Sequence, residues 1–225
     1  MIQDSFINHL ISKYQHPAFI DEVGTGAISG PITACAVMIP TPFFIPEVND
    51  SKQLKNDLIY SLAETLKEKA IYSIGESPAS EIRELQNIFK ADLLAMRRAI
   101  EGLPIKPDAI FIDGKFSLDL PVDCYPVIKG DAKVFGIAVA SIIAKDYRDH
   151  KIIEDLGEEL KVYGIKTNKG YRSPQHLMSI KKFGVTKHHR TYMPQIQQVL
   201  NGSYDEVIFS KYKDRWEKMN EIKGE

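Results

Sequence analysis

The pattern of apolar and polar residues divides the chain into short apolar runs and longer stretches of helical periodicity. Apolar runs bounded by glycine, proline or a charged residue predict strands at residues 18–21, 30–40, 70–75, 108–114 and 122–128. Apolar residues three or four positions apart predict helices at residues 54–69, 90–102 and 203–220. Because strands come first and then alternate with helices, the pattern predicts an α/β fold in which helices flank a mixed sheet.

Local signals add two helix starts and one closely packed helix. Ser77-Pro78 and Ser173-Pro174 each supply a capping hydroxyl followed by proline, which is typical of a helix start, and Gly184 can end the second of these helices. Residues 134–156 form a helix with one face of small side chains: Gly136, Ala138, Ala140, Ser141 and Ala144. Such a face suits a helix that packs closely on a sheet.

Composition indicates an ordinary globular protein. The 225 residues are 44% hydrophobic and 26% charged, which is typical of a chain that buries a substantial core. No run of 18 apolar residues occurs, and the N-terminal MIQDSFINHL lacks a basic region before an apolar stretch, so neither a membrane span nor a secretory signal is expected. Cys35 and Cys124 are too few for a disulfide framework and suit a reducing compartment. We therefore predict a cytoplasmic protein.

Charge is distributed unevenly although the net charge is −1. The stretch 161–204 contains no Asp or Glu, but it holds Lys161, Lys166, Lys169, Arg172, Lys181, Lys182, Lys187 and Arg190. One interpretation is a face that binds a polyanion such as nucleic acid. The other is a solvated surface whose charges are balanced by acids elsewhere in the fold. The composition leaves both open.

Carboxylates follow the apolar strands where a site for divalent cations is expected. Asp21 and Glu22 end the first strand, Asp113 ends another, and Asp131 follows Lys129-Gly130. Active sites of α/β folds gather outside strand ends, and Mg²⁺ prefers carboxylate oxygens. Each acid could instead be a turn former or a helix cap, and neighbours on a regular strand point to opposite faces. These residues alone leave a nuclease, a phosphatase and a metal-stabilised binding module open.

Seven segments of the sequence, taken in their order along the chain, carry further information about function. They are FIDEVGTGAISGPITACAV, NDSKQL, FKADLLAMRRAIEGL, IFIDG, VIKGDAK, IAVASIIAKDYRD and KTNKGYRSPQH. Together they resemble ribonuclease HII from about Ala18 to Tyr192. The resemblance implies an RNase H-like fold, with a mixed five-stranded sheet flanked by helices and a helical C-terminal part. We expect one domain over residues 1–225, with the core at about 17–145 and the helical part at about 146–225.

The resemblance also implies the catalytic centre. Asp21, Glu22, Asp113 and Asp131 match the family's four metal-binding acids, and Mg²⁺ or Mn²⁺ is the expected cofactor, with two ions during catalysis. The expected activity is cleavage of the RNA strand of RNA–DNA duplexes, including 5′ to a single ribonucleotide embedded in DNA. A monomer without a membrane partner is expected.

Substrate contacts follow from the same resemblance. Gly24, Thr25 and Gly26 match the loop whose backbone approaches the ribose 2′-OH, the group that distinguishes RNA from DNA. Tyr171 matches the residue that packs on the sugar at the RNA–DNA junction. Three lysines are candidate phosphate contacts: Lys52, Lys129 and Lys145. His176, His188 and His189 have no metal-site spacing, so phosphate contact or plain surface is predicted for them.

One residue departs from the family pattern. Most ribonuclease HII sequences have arginine where this chain has Thr25, and Gly-Thr-Gly resembles ribonuclease HIII. An N-terminal substrate-binding domain like that of ribonuclease HIII is not expected in a chain of this length, and Tyr171 and the KGD segment resemble HII. The alternatives are therefore HIII-like cleavage of long RNA–DNA hybrids without junction preference, and a catalytically inactive duplex-binding protein.

Overall fold

The structure is a computed structural model that describes residues 5–41, 43–49 and 51–203. Its sheet has five strands: β1 (Pro17–Val23), β2 (Ile32–Met38), β3 (Ile71–Ser77), β4 (Ala109–Asp113) and β5 (Asp123–Val127). The strand order is β3-β2-β1-β4-β5. β1 pairs antiparallel with β2 and parallel with β4, β2 pairs antiparallel with β3, and β4 pairs parallel with β5. The sheet is therefore mixed, as predicted.

The helices of the described residues are α1 (Ser5–Ile11), α2 (Asn56–Lys69), α3 (Ala79–Leu85), α4 (Ile88–Glu101), α5 (Gly130–Lys133), α6 (Phe135–Leu156), α7 (Ile165–Asn168), α8 (Pro174–Phe183) and α9 (Pro194–Leu200). Short 3₁₀ turns lie at Ser51–Gln53 and Lys161–Tyr163. The helix predicted at 203–220 lies almost wholly outside the described residues. None of the described helices is long and apolar enough to cross a membrane.

The chain forms two compact units. The first comprises residues 1–25, 31–77 and 87–148, and the second comprises residues 26–30, 78–86 and 149–225. All five strands belong to the first unit. The division into a core at about 17–145 and a helical part at about 146–225 stays a prediction.

The core of the first unit explains the small residues of α6. Ala138, Ala140 and Ala144 are fully buried and cluster with β2 and α2. A Cβ on Gly136 would lie 2.2 Å from the ring of Phe19 on β1, so only glycine allows this approach. The predicted close packing of this helix on the sheet is confirmed.

The second unit has its own core, formed by Ile28, Ile152, Leu160, Tyr163, Ile165, Leu177, Ile180, Ile196 and Val199. Within it α8 begins as predicted, because the Ser173 hydroxyl accepts a hydrogen bond from the backbone N–H of His176 at 3.1 Å. Gly184 ends the helix with φ +78. The Ser77-Pro78 prediction needs correction: Ser77 ends β3 and donates its hydroxyl to the Ala91 carbonyl at 2.7 Å, and Pro78 is the N-cap of α3.

Candidate active site

Three carboxylates converge at the ends of β1 and β4 and in α5. Asp21, Asp113 and Asp131 each offer an oxygen atom within 4.8 Å of the others. Asp21 is 3% exposed and Asp131 is 4% exposed, while Asp113 is half-buried. The sequence predicted that these three acids lie together, and the structure brings them together.

The start of α5 fixes Asp113. The backbone N–H of Gly130 donates to Asp113 Oδ1 at 2.6 Å. A Cβ on Gly130 would lie 2.6 Å from Ile137 Cδ1 and 3.3 Å from Asp113 Oδ1, so a larger residue would require both side chains to shift. Lys129 precedes it in the left-handed conformation, with φ +57, and is exposed.

Electrostatic repulsion within the cluster is strong at Asp21. Burial raises the pKa of this carboxyl well above its usual range, and the charges of Glu22 and Asp113 raise it further. Hydrogen bonds from the Ser141 hydroxyl and from the Glu22 backbone N–H, at 2.8 Å, oppose the rise in pKa. A donor set made of three carboxylates that lie this close together suits a hard divalent cation, which prefers oxygen ligands.

Glu22 faces a neighbouring cleft. The pairing of β1 with β2 stays regular through Asp21 and Glu22, opposite Cys35 and Ala34, without a bulge. Alternation along a regular strand therefore separates the two side chains, and Glu22 is not in the group within 4.8 Å. The cleft has a volume of about 320 Å³ and is lined by Glu22, Thr25, Ile88, Phe89, Asp92, Leu93, Met96, Ile112, Asp113, Gly114, Lys115 and Phe116. Asp113 thus contributes both to the carboxylate trio and to the cleft.

Asp92 is a further carboxyl that the sequence reasoning missed. It lies on α4, and burial followed by the charge of Glu22 raises its pKa to about 8. Its Oδ1 is buried without a hydrogen-bond partner among the described residues. The sequence carried a signal, because Asp92 stands four residues from both Ile88 and Met96, on an otherwise apolar helix face.

In the glycine loop, Gly24 is closely packed in a backbone conformation that favours glycine, whereas Thr25 borders the cleft. Gly24 has φ +96, and a Cβ there would lie 2.3 Å from Arg148 Nε and 2.9 Å from the Pro31 carbonyl oxygen. Thr25 lines the cleft. These contacts show why glycine stands at residue 24 on packing grounds, apart from any substrate.

Gly26 and Tyr171 meet within the second unit. The nearest heavy atom to a Cβ on Gly26 would be Tyr171 Cε1, at 4.0 Å. Tyr171 forms a β-bridge with Ala27, and the backbone N–H groups of Ile28 and Ser29 donate to the Gly170 carbonyl at 2.9 and 3.1 Å. The tyrosine and the last glycine of the loop are therefore neighbours.

The structure gives the exposure of two of the three predicted phosphate-contacting lysines. Lys129 is exposed beside α5, and Lys145 is half-buried on α6. The side chain of Lys52 lies outside the described part of the structure. No observation tests a phosphate contact for any of the three.

Part of the acid-free stretch is balanced by acids just before it. Lys161 and Lys166 lie near Glu158 at 3.8 and 3.5 Å, and Lys187 lies 3.4 Å from Glu159. His188 Nε2 is 2.9 Å from Glu159 and lowers the pKa of that carboxyl, with Lys187 adding to the effect. These ion pairs favour the solvated-surface interpretation for Lys161, Lys166 and Lys187.

The prediction for two of the histidines is wrong. His176 and His189 are fully buried, so neither is plain surface, and burial is the main reason that their pKa values fall to about 4 and about 3. Both rings are therefore neutral at pH 7. Their Nε2 atoms lie 3.1 Å apart.

These pKa values predict a pH dependence of stability. A buried neutral histidine stabilises the fold fully above its unfolded pKa of about 6.5, and this contribution is lost as the pH falls toward the folded value. For His176 the loss is on the order of 2 kcal/mol at pH 5, or roughly 4–8 °C in Tm. The Tm advantage of the parent over His176→Asn should therefore shrink between pH 7 and pH 5. A constant difference in thermal scans at both pH values would contradict the assigned neutral state.

Comparisons with known proteins identify the family to which the chain is similar. The sequence model described as Ribonuclease HII matches residues 18–196. The chain is 41% identical over 181 residues to the ribonuclease HII of Macrococcus caseolyticus, covering 80% of this chain and 67% of the relative. It is 43% identical over 184 residues to that of Pelagibacter ubique, covering 81% of this chain and 98% of the relative. The crystal structure of ribonuclease H2 from Pyrococcus horikoshii is similar with a TM-score of 0.68 at 25% identity, covering 82% of this chain and 96% of that one.

The fold and the carboxylate trio define a hydrolase with an RNase H-like fold. Within that class the chain belongs to the ribonuclease HII family, and it is an endoribonuclease. The predicted family and the predicted five-stranded mixed sheet are confirmed.

Proposed function

We propose that the enzyme hydrolyses the RNA strand of RNA–DNA duplexes, including DNA with a single embedded ribonucleotide, on the 5′ side of the ribonucleotide. The products would be a 3′-OH and a 5′-phosphate. The observation that carries the proposal is the convergence of Asp21, Asp113 and Asp131 within 4.8 Å in a chain of this family.

Asp21, Asp113 and Asp131, with Glu22 from the adjoining cleft, would hold Mg²⁺ or Mn²⁺. Two such ions, when bound, would supply an activated water for in-line attack on the phosphate and a positive charge beside the departing 3′ oxygen. The protein contributes fixed geometry: the Gly130 N–H orients Asp113, and the Glu22 N–H orients Asp21. Carboxylates fixed before the substrate arrives need no reorganisation during the reaction.

Substrate recognition would fall to Gly24, Thr25, Gly26 and Tyr171. Backbone groups of the loop would approach the ribose 2′-OH, and the Tyr171 ring would pack on the deoxyribose that follows the junction. The exposed Lys129, together with Lys52 and Lys145, would contact phosphates. We further propose a cytoplasmic monomer whose partner is the RNA–DNA duplex.

Thr25 favours a second candidate, HIII-like cleavage without junction preference. A backbone-based contact to the 2′-OH survives the exchange of arginine for threonine. A charge-assisted contact from arginine would add roughly 1.5–3 kcal/mol, so its absence should relax discrimination by about one or two powers of ten. Junction preference should therefore be weakened but present.

The test is the ratio of kcat/KM on DNA with one ribonucleotide to kcat/KM on an all-RNA/DNA hybrid. We expect the parent to favour the single ribonucleotide, Tyr171→Ala to lower the ratio about tenfold through loss of ring packing on the sugar, and Tyr171→Phe to retain it. A parent that prefers the hybrid, or a ratio unchanged by Tyr171→Ala, would establish HIII-like cleavage instead. Duplex binding without Mg²⁺-dependent cleavage would establish the inactive binding protein.

A further inference from the structure

The buried histidine pair of the second unit is not used by the chemistry proposed above. His176 and His189 are both fully buried, and their rings pack with Tyr163, whose ring centroid is 5.9 Å from that of His176 and 4.7 Å from that of His189. Two buried imidazoles in contact are costly unless each polar nitrogen has a partner. The ring nitrogens of both histidines do have hydrogen-bond partners.

The hydrogen bonds have a single consistent direction. The backbone N–H of Thr186 can only donate, and it donates to His189 Nδ1 at 2.9 Å. The proton of the neutral His189 ring is therefore on Nε2, which donates to His176 Nε2 at 3.1 Å. His176 must then carry its proton on Nδ1, which donates to the Tyr171 carbonyl at 3.1 Å.

Protonation of either ring would break this chain of hydrogen bonds. A charged His176 would place two N–H donors against each other at the 3.1 Å contact between the Nε2 atoms, and a charged His189 would do so at the 2.9 Å contact between its Nδ1 and the Thr186 backbone N–H. Burial lowers the pKa of His176 to about 4 and that of His189 to about 3, so the neutral chain of bonds persists at neutral pH.

The same two segments flank residues 26–30. On one side the Gly170 carbonyl accepts from Ile28 and Ser29. On the other side Gly30 donates its N–H to the His188 carbonyl at 3.0 Å. The buried Arg190 guanidinium donates to the Ala27 carbonyl at 2.7 Å and to the Gly30 carbonyl at 2.9 and 3.0 Å. The contact between His176 and His189 thus connects the segment around Gly170 with the segment 188–190, and both segments bind residues 26–30.

We propose that His176 and His189 are positioning residues that fix the Tyr171 backbone, and thereby its ring against Gly26, so that they set the junction selectivity of the enzyme. This inference rests on the proposed function of Tyr171. The histidines act through Tyr171 and touch no substrate, so their removal should change selectivity and spare cleavage of the all-RNA hybrid.

Two conservative variants of His176 each remove one of its two side-chain hydrogen bonds, to Tyr171 or to His189. In His176→Asn the amide nitrogen can take the place of Nδ1 and donate to the Tyr171 carbonyl, but the bond to His189 is lost. In His176→Gln the longer amide can accept from His189, but the bond to Tyr171 is lost. We expect the selectivity ratio to fall roughly fivefold in His176→Gln and by less than twofold in His176→Asn, the effect of one neutral hydrogen bond.

A double-mutant comparison distinguishes this inference from the proposed function. If His176 acts through Tyr171, adding His176→Gln to Tyr171→Ala should leave the ratio of the single Tyr171→Ala variant unchanged. If Tyr171→Ala lowers the ratio and His176→Gln does not, or if their effects multiply, the positioning role is overturned and the role of Tyr171 stands. If Tyr171→Ala has no effect, the proposed function fails first.

The direction of the hydrogen bonds can also be tested by spectroscopy. Among the six imidazoles of the uniformly labelled parent, ¹⁵N–¹H NMR at pH 7 should show His176 protonated on Nδ1 and His189 protonated on Nε2. Loss of the Nδ1-protonated signal in His176→Gln would support the assignment. If both His176 and His189 are protonated on Nε2, or if either of the two is charged, the direction of the hydrogen bonds is overturned, and with it the positioning role.

Discussion

Replacing Asp113 with asparagine should lower Mg²⁺-dependent cleavage by roughly 10³-fold or more, equivalent to about 4 kcal/mol of transition-state stabilisation. Asp113 belongs to the carboxylate trio and also lines the cleft that contains Glu22, so it links all four proposed ligands. Asparagine keeps the shape and an oxygen that can accept from the Gly130 N–H, but it removes the charge. Cleavage is measured on the single-ribonucleotide duplex, and binding is measured separately in Ca²⁺.

A second readout of this variant is independent of turnover. The charge of Asp113 helps to raise the pKa of Asp21, so its removal should lower that pKa toward the usual range and relieve repulsion. The apo variant should therefore unfold at a slightly higher Tm than the parent, and added Mg²⁺ should raise its Tm less. The exposed Asp119→Asn, which changes the same charge elsewhere, serves as the control. Near-normal cleavage by a folded Asp113→Asn would falsify the assigned centre.

Much of the fold was predictable because its elements carry strong local patterns. The strands around Asp21 and Asp113 are short apolar runs, and α8 begins and ends at a capping serine and a glycine. The small face of α6 identified a helix that packs closely on a sheet, which Gly136 against Phe19 confirms. These signals depend on residues a few positions apart, so the sequence displays them directly.

The site was predictable only in part because it depends on contacts between distant segments. The sequence placed Asp21 and Asp113 at strand ends, but the parallel pairing of β1 with β4 is what brings them together. The glycines that follow Glu22 did not reveal that β1 continues regularly through Asp21 and Glu22 and so points their side chains to opposite faces. Asp92 was missed because its raised pKa arises from burial and from the charge of Glu22, which is 70 positions away along the chain.

The buried histidines show the same limit more sharply. His176, in α8, and His189, in a loop, occur in polar and basic surroundings that suggested a surface. Their burial comes from packing around Tyr163, and it reverses the expectation of phosphate contact. The spacing of the histidines along the chain does not match a standard metal site, but it does not reveal that the rings of His176 and His189 are in contact.

Replacing Gly24 with alanine should destabilise the protein by about 3 kcal/mol, the sum of roughly 1–2 kcal/mol of backbone strain and about 1–2 kcal/mol of steric overlap. The strain arises because Gly24 has φ +96. The overlap arises because the new Cβ would lie 2.3 Å from Arg148 Nε, and Arg148 is fully buried with that nitrogen donating to the Pro31 carbonyl at 3.0 Å. Relief of the overlap requires this buried hydrogen bond to lengthen or the loop after Glu22 to move. The Tm should fall by roughly 6–12 °C.

Gly114→Ala supplies the matched control. Gly114 has φ +111, but no described atom lies within 4 Å of the added Cβ, so the variant carries strain without overlap and should lose only about 1–2 kcal/mol. Thermal and urea unfolding of both variants, with and without Mg²⁺, measure the difference. If Gly24→Ala is no less stable than Gly114→Ala, the overlap with Arg148 is relieved at no cost. The inference that Arg148 restricts the conformation of the loop after Glu22 is then wrong. If Gly24→Ala is the less stable and also loses cleavage at temperatures where it is folded, packing against Arg148 holds the loop in the conformation that the catalytic centre requires.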